Sequence, residues 1–354
     1  MLYKRFFCLI SAFVLIFSLA GCSTPSPKTP LQKFSAEFPE LFDTVTTLTC
    51  YAESREEFDR YADIVRTQMM RLHRLFDIYH GYEGVNNLYT VNENAGIAPV
   101  EVDTDIIDML AAALEGYDFS GGALNVALGP VLRIWHEYRT DGVALPPMDM
   151  LREASGLADI GELIIDRDNG TIFLQKKGMS LDVGAVGKAY AAGRALDAAR
   201  EQGMTSAILN AGGNIITVGA PAVGDRDWWN VGVQNPDLDE GGAQTLLDSI
   251  KITGDMTVST SGGYQRFYLV DGVSYNHIID PETLMPASRY KQVTVVHKTA
   301  ALADLLSTTL FILPYEQGAG IAERYNAEVL WVDLDDVWRA TAGYSAISQV
   351  MGGQ

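Results

Sequence analysis

Residues 299–313 (TAALADLLSTTLFIL) restrict the possible folds of this chain more than any other stretch. The run has helix-forming composition and is apolar almost all round, and a helix of that kind has to be buried. Inside it stand Asp304 and Thr308, four residues apart and so stacked on one helical face. A carboxylate buried in such a helix costs several kcal/mol unless a charge or hydrogen bonds meet it. A lysine or arginine from elsewhere could supply the charge, and Thr308 alone could bond back to its own helix. The pair also offers two hard oxygens of the kind Mg²⁺ accepts, with waters and phosphate completing the shell.

A second constraint is Ser180–Ala192 (SLDVGAVGKAYAA). Leu181 and Val183 flank Asp182, so its carboxylate points away from the apolar side of a strand end. Gly184 and Gly187 break the strand where backbone passes close to something. A helix is expected from about Lys188 to Gln202, stopped by Gly203. Free backbone groups at such a turn suit a phosphate or a metal–phosphate pair, and an ordinary tight turn has the same pattern. The glycine spacing matches neither G-x-G-x-x-G nor G-x-x-x-x-G-K-[ST].

At the start, Lys4 and Arg5 precede an apolar run from Phe6 to Leu19, followed by Leu19-Ala20-Gly21-Cys22. This is a secretory signal pattern, too short to span a bilayer as a stable helix, and it resembles a bacterial lipoprotein signal cut before Cys22. The expected division is a signal over 1–21, a lipidated Cys22 with a Pro-rich tether over 22–36, and one domain over 37–354. That address is the extracytoplasmic face of the cell membrane, held by lipid alone. With Cys8 in the signal and Cys22 acylated, Cys50 is the one ordinary thiol, so an internal disulfide or cysteine metal site is excluded. The net charge of −19 argues against nucleic acid and against electrostatic membrane binding. It leaves room for a divalent cation if the ligand is a polyphosphate.

Strands are expected over 43–51, 207–219 around Gly212-Gly213, 228–236, 250–260, 293–297, 327–333 and 337–341, with hairpins over 164–174 and 267–279. A helix capped by Ser54 and Glu57 carries the core stripe Phe58, Tyr61, Val65, Met69, Leu72 and Phe76, and His73 and His80 are solvated or capping groups near its end. Asp103 caps a second helix. Residues 81–99 are a polar loop and 137–160 a polar insert. His277, at a strand end before Asp280-Pro281, has the position of a catalytic base or of a structural histidine.

Several segments, in one order, resemble the ApbE family of FAD:protein FMN transferases. They are SLDVGAVGKAYA, the segment Gly122 to Trp135, NAGGN at 210–214, WWNVGVQNP at 228–236, STSGGY at 259–264, HIIDPET at 277–283 and ADLLSTTLF at 303–311. There are departures. Phe42-Asp43-Thr44 stands where the family carries Met-Gly-Thr, Leu124 and Asn125 replace Phe and Asp, and Leu284 replaces a glycine. The resemblance implies an α+β fold of two interleaved lobes, with mixed or antiparallel sheet and packed helices, and the ligand in the cleft between them. It implies Mg²⁺-dependent transfer of FMN from FAD to a Thr or Ser of a flavoprotein bearing an Asp-x-x-[Ser/Thr]-Gly-Ala-Thr motif, with release of AMP. Hydrolysis of FAD to FMN and AMP, or simple carriage of flavin, would use the same site. The positions it assigns to the flavin nucleotide are Phe42, Asn86, Ala123, Leu124, Asn125, Asp182, Lys188, Thr260, Ser261, Gly262, His277 and Ile279, with Asn87 beside Asn86 in the same loop. Asp304, Thr308 and the Ala185 carbonyl fall on the metal positions. His277 would be the base, and Asp280 would orient or replace it.

Overall fold

A computed structural model describes residues 30–237 and 245–352. The signal, Cys8 and Cys22 lie outside the described residues. The domain begins earlier than residue 37, because β1 (Gln32–Leu41) occupies the end of the expected tether. Phe34, Ala36 and Phe38 alternate with polar residues there, and Phe34 stacks on Phe58 at 5.4 Å. β2 (Thr44–Ala52) returns antiparallel through the two-residue turn Phe42-Asp43.

α1 (Arg55–Phe76) has the expected cap, with the Ser54 side chain accepting the Glu57 N–H, and it buries the expected stripe. The loop at 81–99 contains a helix, α2 (Leu88–Glu93), capped by Asn87. β3 (Val100–Glu101) leads to α3 (Thr104–Ser120), capped by Asp103. The insert at 137–160 is largely helical: α4 (Gly129–Asp141) runs into it and α5 (Met148–Ser155) lies within it. Each of these helices starts at a proline, Pro130 in the first turn and Pro147 at the cap. β4 (Leu163–Asp166) and β5 (Thr171–Leu174) form the expected hairpin.

α6 (Gly187–Glu201) follows the Asp182 turn, and β6 (Ala207–Ala211) and β7 (Asn214–Val218) flank the Gly212-Gly213 turn. β8 (Trp228–Gln234) pairs with β9 (Leu246–Thr253), and β10 (Thr257–Gly262) is a separate strand. The single strand expected over 250–260 is therefore two. Gly254, at φ 74°, breaks it, and the Asp255 carboxylate holds the turn by accepting the Gly219 N–H at 2.7 Å. β11 (Phe267–Val270) and β12 (Val273–Asn276) form a hairpin that ends one residue before His277. β13 (Tyr290–His297), α7 (Ala300–Ile312), α8 (Tyr315–Arg324), β14 (Glu328–Asp333), β15 (Trp338–Ala340) and α9 (Ala342–Ile347) complete the chain.

The fold is α+β. Eight strands in the order β1-β2-β6-β7-β10-β13-β14-β15 form one sheet, antiparallel at every pairing. Strand periodicity divides its side chains between two faces. Val293 and Val295 of β13 join the core under α1, α6 and α7, whereas Val296 joins a smaller core shared with β8, β9 and Tyr344 of α9. The same alternation aims Ser259 and Ser261 of β10 at α7. α3 crosses the helix layer, and buried Asp105 accepts hydrogen bonds from Arg71 of α1 and from Tyr190 and Arg194 of α6. A third cluster joins α4, α5 and the β11–β12 hairpin through Leu128, Val131, Trp135, Tyr268 and Leu284. The chain enters this second lobe after α3 and again after β10, so the lobes interleave.

Two departures from the family pattern coincide with unusual backbone. Asp43, at the family's glycine, has φ 53° in the β1–β2 turn, next to Phe42 at φ 52°. Leu284, at the other missing glycine, has φ 60° and gives its carbonyl to Trp135 Nε1 at 2.9 Å. Left-handed backbone costs a side chain-bearing residue roughly 1 kcal/mol. Asp43→Gly is therefore expected to stabilise the fold by about 0.5–1 kcal/mol. Urea unfolding measures this, and an unchanged or lowered midpoint would show that the turn carries no such strain.

Candidate active site

The two lobes enclose a cleft of about 700 Å³. Phe42, Ala123, Leu124, Asn125, Asp182, Ala185, Lys188, Thr260, Ser261, Gly262, His277, Ile279, Asp304 and Thr308 all line it. Asn86 does not: it faces a separate open cavity and donates to the Glu101 carbonyl at 2.8 Å. Neighbouring Asn87 is structural, capping α2 and donating to the Arg74 and His80 carbonyls. Asp280 is also placed differently from expectation. Its carboxylate accepts the Glu282 N–H at 2.8 Å, closing its own turn, and makes no hydrogen bond to His277.

Asp304 forms the floor. α7 packs over β10 and β13, so its carboxylate is buried against the sheet. Asn214 Nδ2 donates to one carboxylate oxygen at 3.1 Å and Ser259 Oγ lies 3.4 Å from the other. The Ser259 hydroxyl itself donates to Asn214 Oδ1 at 2.6 Å, fixing the amide orientation. Among the described residues no basic side chain forms an ion pair with Asp304. Burial lifts its carboxyl to about 6, against the opposing pull of Lys188, these two hydrogen bonds and the Ala189 N–H. One turn on, Thr308 Oγ1 lies 3.3 Å from Ser261 Oγ. Among the described residues no group of three or more His, Cys, Asp or Glu gathers as a metal site. A Mg²⁺ centre here would rest on one carboxylate, hydroxyls, the Ala185 carbonyl, water and phosphate, a donor set such an ion accepts.

Lys188 stands at the start of α6, donates to the Gly212 carbonyl at 3.2 Å and is held below the usual lysine range by burial. Asp182 is set by a residue that sequence reasoning missed. Asn92 of α2 donates to the Leu181 carbonyl at 3.1 Å and accepts the Leu181 N–H at 2.7 Å, pinning a segment expected as a strand end that pairs with no strand among the described residues. Asp182 accepts the Gly184 N–H at 2.9 Å, and burial raises its carboxyl above the ordinary range.

His277 Nδ1 lies 3.2 Å from the Arg266 carbonyl. A carbonyl only accepts, so Nδ1 carries the proton and Nε2 keeps its lone pair. Burial first, then Arg266 and Arg139, push the imidazole down to about 4 and keep it neutral at physiological pH. Asn125 accepts the Ala127 N–H at 2.9 Å and donates to the Ala158 carbonyl at 2.8 Å. A carboxylate at this position could not make the second bond, so the amide ties the cleft wall to the end of α5. Sequence reasoning also missed four residues at the mouth: Tyr79, His136, Arg139 and Arg266. They lie in segments read as helix end, insert or turn, where nothing in the local pattern marks a cleft.

These features define a class: an antiparallel α+β protein with a polar cleft between lobes, a buried acid at its floor and a neutral histidine in its wall. The chain belongs to the ApbE family, whose model matches residues 42–331. It is 34% identical over 269 residues to an FAD:protein FMN transferase of Treponema pallidum, covering 72% of this chain and 73% of that protein. A second such transferase, from Klebsiella pneumoniae, is 31% identical over 268 residues, covering 73% of this chain and 81% of the relative. In fold, the chain is similar to the ApbE protein of Thermotoga maritima, with a TM-score of 0.79 and 24% identity over 89% of this chain and 99% of the other. It is also similar in fold to the flavin transferase ApbE of Vibrio cholerae, with a TM-score of 0.73 and 23% identity over 90% of this chain and 100% of the other.

The raised carboxyl of Asp304 gives a stability prediction. A folded value near 6 against an unfolded one near 4 means that ionisation opposes folding, increasingly from about pH 4 to about 6 and fully above. Asp304→Asn is expected to stabilise the metal-free protein by about 2–3 kcal/mol at pH 7.5. The gain should shrink at pH 5. Denaturant titrations at the two pH values measure it, and equal stability of variant and parent at pH 7.5 would contradict the charge assignment.

Proposed function

We propose that this chain is an FAD:protein FMN transferase that moves FMN from FAD onto a Thr or Ser hydroxyl of a partner flavoprotein, with Mg²⁺ and with release of AMP. The observation that carries the reading is the pairing, in one cleft, of an unneutralised buried Asp304 beside Thr308 with a histidine whose Nε2 is free to accept a proton. Asp304, Thr308 and the Ala185 carbonyl would hold the ion. When bound, Mg²⁺ neutralises diphosphate charge.

In the transfer, the acceptor oxygen forms a bond to the FMN phosphorus and the phosphorus–oxygen bond to AMP breaks. His277 Nε2 takes the hydroxyl proton. Its low basicity keeps it in the accepting form across the physiological range. Lys188 and the backbone at the start of α6 position the phosphates, and Asp182, in the turn before that helix, holds the nucleotide. The acceptor expected from the family pattern carries Asp-x-x-[Ser/Thr]-Gly-Ala-Thr. Lipidation at Cys22 would keep the enzyme on the extracytoplasmic face of the cell membrane, in reach of membrane-bound acceptors. Among the described residues no helix is long and apolar enough to cross a membrane.

Incubation with FAD, Mg²⁺ and an acceptor bearing that motif tests the reading. Covalently fluorescent acceptor and stoichiometric AMP are expected. AMP without labelled acceptor would mean hydrolysis, and bound flavin with neither product would mean carriage. Asp304→Ala should abolish Mg²⁺-dependent turnover while the fold survives, and full activity in it would remove the metal assignment.

His277→Ala should slow transfer about 10²–10⁴-fold, more than it weakens FAD binding. If His277 is the base, its contribution to the acid limb of kcat/KM falls near pH 4, not near 6.5. The same depression means that this residue's contribution to stability is complete above about pH 6.5 and is lost as pH falls toward about 4. An unchanged rate in the alanine variant would rule His277 out as base.

A further inference from the structure

We propose that Arg139 and Arg266 form a two-guanidinium clamp that binds the phosphate groups of the flavin nucleotide at the mouth of the cleft. Arg139 ends α4 in the second lobe and Arg266 immediately precedes β11, and both side chains line the cleft that holds His277 and Asp182. Among the described residues neither forms an ion pair within 4 Å, although the chain carries 45 acids against 26 lysines and arginines. Elsewhere Arg194 and Arg200 do reach carboxylates, at 3.2 and 2.7 Å. Asp182 lies within electrostatic range of both mouth arginines, yet it is turned to the Gly184 N–H.

Arg139 makes one polar side-chain contact, Nη2 to His136 Nδ1 at 3.0 Å. Guanidinium only donates, so that nitrogen accepts and the arginine charge stays uncompensated. Burial and the repulsion of Arg266 both hold Arg139 below its usual range. Two like charges that share a cleft with Asp43, Asp77, Asp182 and Asp304, yet form no ion pair with any of them, are stabilised by an anion that bridges them. The planar forks of two arginines suit phosphate oxygens.

Lys188 and His277 line the same cleft as the two arginines. Lys188 feels Asp304 and Arg266, and His277 feels Arg266, Arg139 and Lys188. A diphosphate in this cleft would find Lys188 and the two guanidinium groups to meet its oxygens. This places negative charge of the transferred phosphoryl group against the two guanidinium groups, beside the histidine that accepts the proton. The inference rests on the flavin-nucleotide reading of the cleft but not on transfer itself.

The test uses the full chain and three flavins that differ in phosphate: riboflavin, FMN and FAD. Binding is followed by flavin fluorescence in the parent, Arg139→Gln, Arg266→Gln and the double lysine variant. Each glutamine variant should lose about 10- to 100-fold in affinity for FMN and FAD with riboflavin unchanged, and the lysine variant should recover part of the loss. Equal losses for FMN and riboflavin would show a structural role and overturn the clamp, as would no loss for either. A parent protein with no preference for FMN over riboflavin would also overturn it. A parent that prefers FMN through these arginines but labels no acceptor would reject transfer and leave the clamp standing.

Discussion

The charge of Asp304 is the constraint around which the molecule is arranged. It sits where α7 lies on the central sheet, a place otherwise filled by Leu305, Leu306 and Leu310. The carboxylate is buried except where it faces the cleft, so it depends on aimed hydrogen bonds. The Gly212-Gly213 turn lets Asn214 enter β7 at the required point, and β10 supplies Ser259 from the adjacent strand. A lysine salt bridge would have satisfied the charge more simply, but Lys188 is instead tied to Gly212. The acid is solvated by dipoles and left without a counterion, the condition a cation site requires.

The cleft around this floor mixes both signs, since Lys188, Arg139 and Arg266 share it with Asp43, Asp77, Asp182 and Asp304. An acid-rich protein of net charge −19 presents Lys188, Arg139 and Arg266 to one cleft. These groups come from α6, from the end of α4 and from the start of β11, and only the folded topology brings them together. Three basic groups gathered in an otherwise negative body give an anionic ligand a local point of attraction.

Much of this was legible in the sequence because the strongest signals are local. The apolar run at 299–313 required a buried helix, and its one acid and threonine stood out against it. The turn at Asp182 and the histidine at 277 were marked by glycine, proline and strand ends. What escaped was set by tertiary contact or by weak periodicity. β1 follows a Pro-rich segment whose composition reads as tether, and its alternation at Phe34, Ala36 and Phe38 is too short to outweigh that signal. α2 and α5 lie in polar stretches where Asn87 and Pro147 are the capping signals, and the last turn of α4 runs from the apolar segment at 129–135 into the polar insert. Asn86 and Asp280 were assigned by resemblance, and each was already engaged in a local backbone bond. Asn92, Arg139 and Arg266 act across 89 residues of sequence or more, or through the cleft, so no local pattern marks them.

The bond between His277 and the Arg266 carbonyl closes the open end of the β11–β12 hairpin. Because the acceptor is main chain, it persists whatever side chain occupies position 266. Evolutionary drift at that position can retune ligand preference without disturbing the proton inventory of the imidazole. The two properties are carried by different atoms of one residue, and selection can act on them separately.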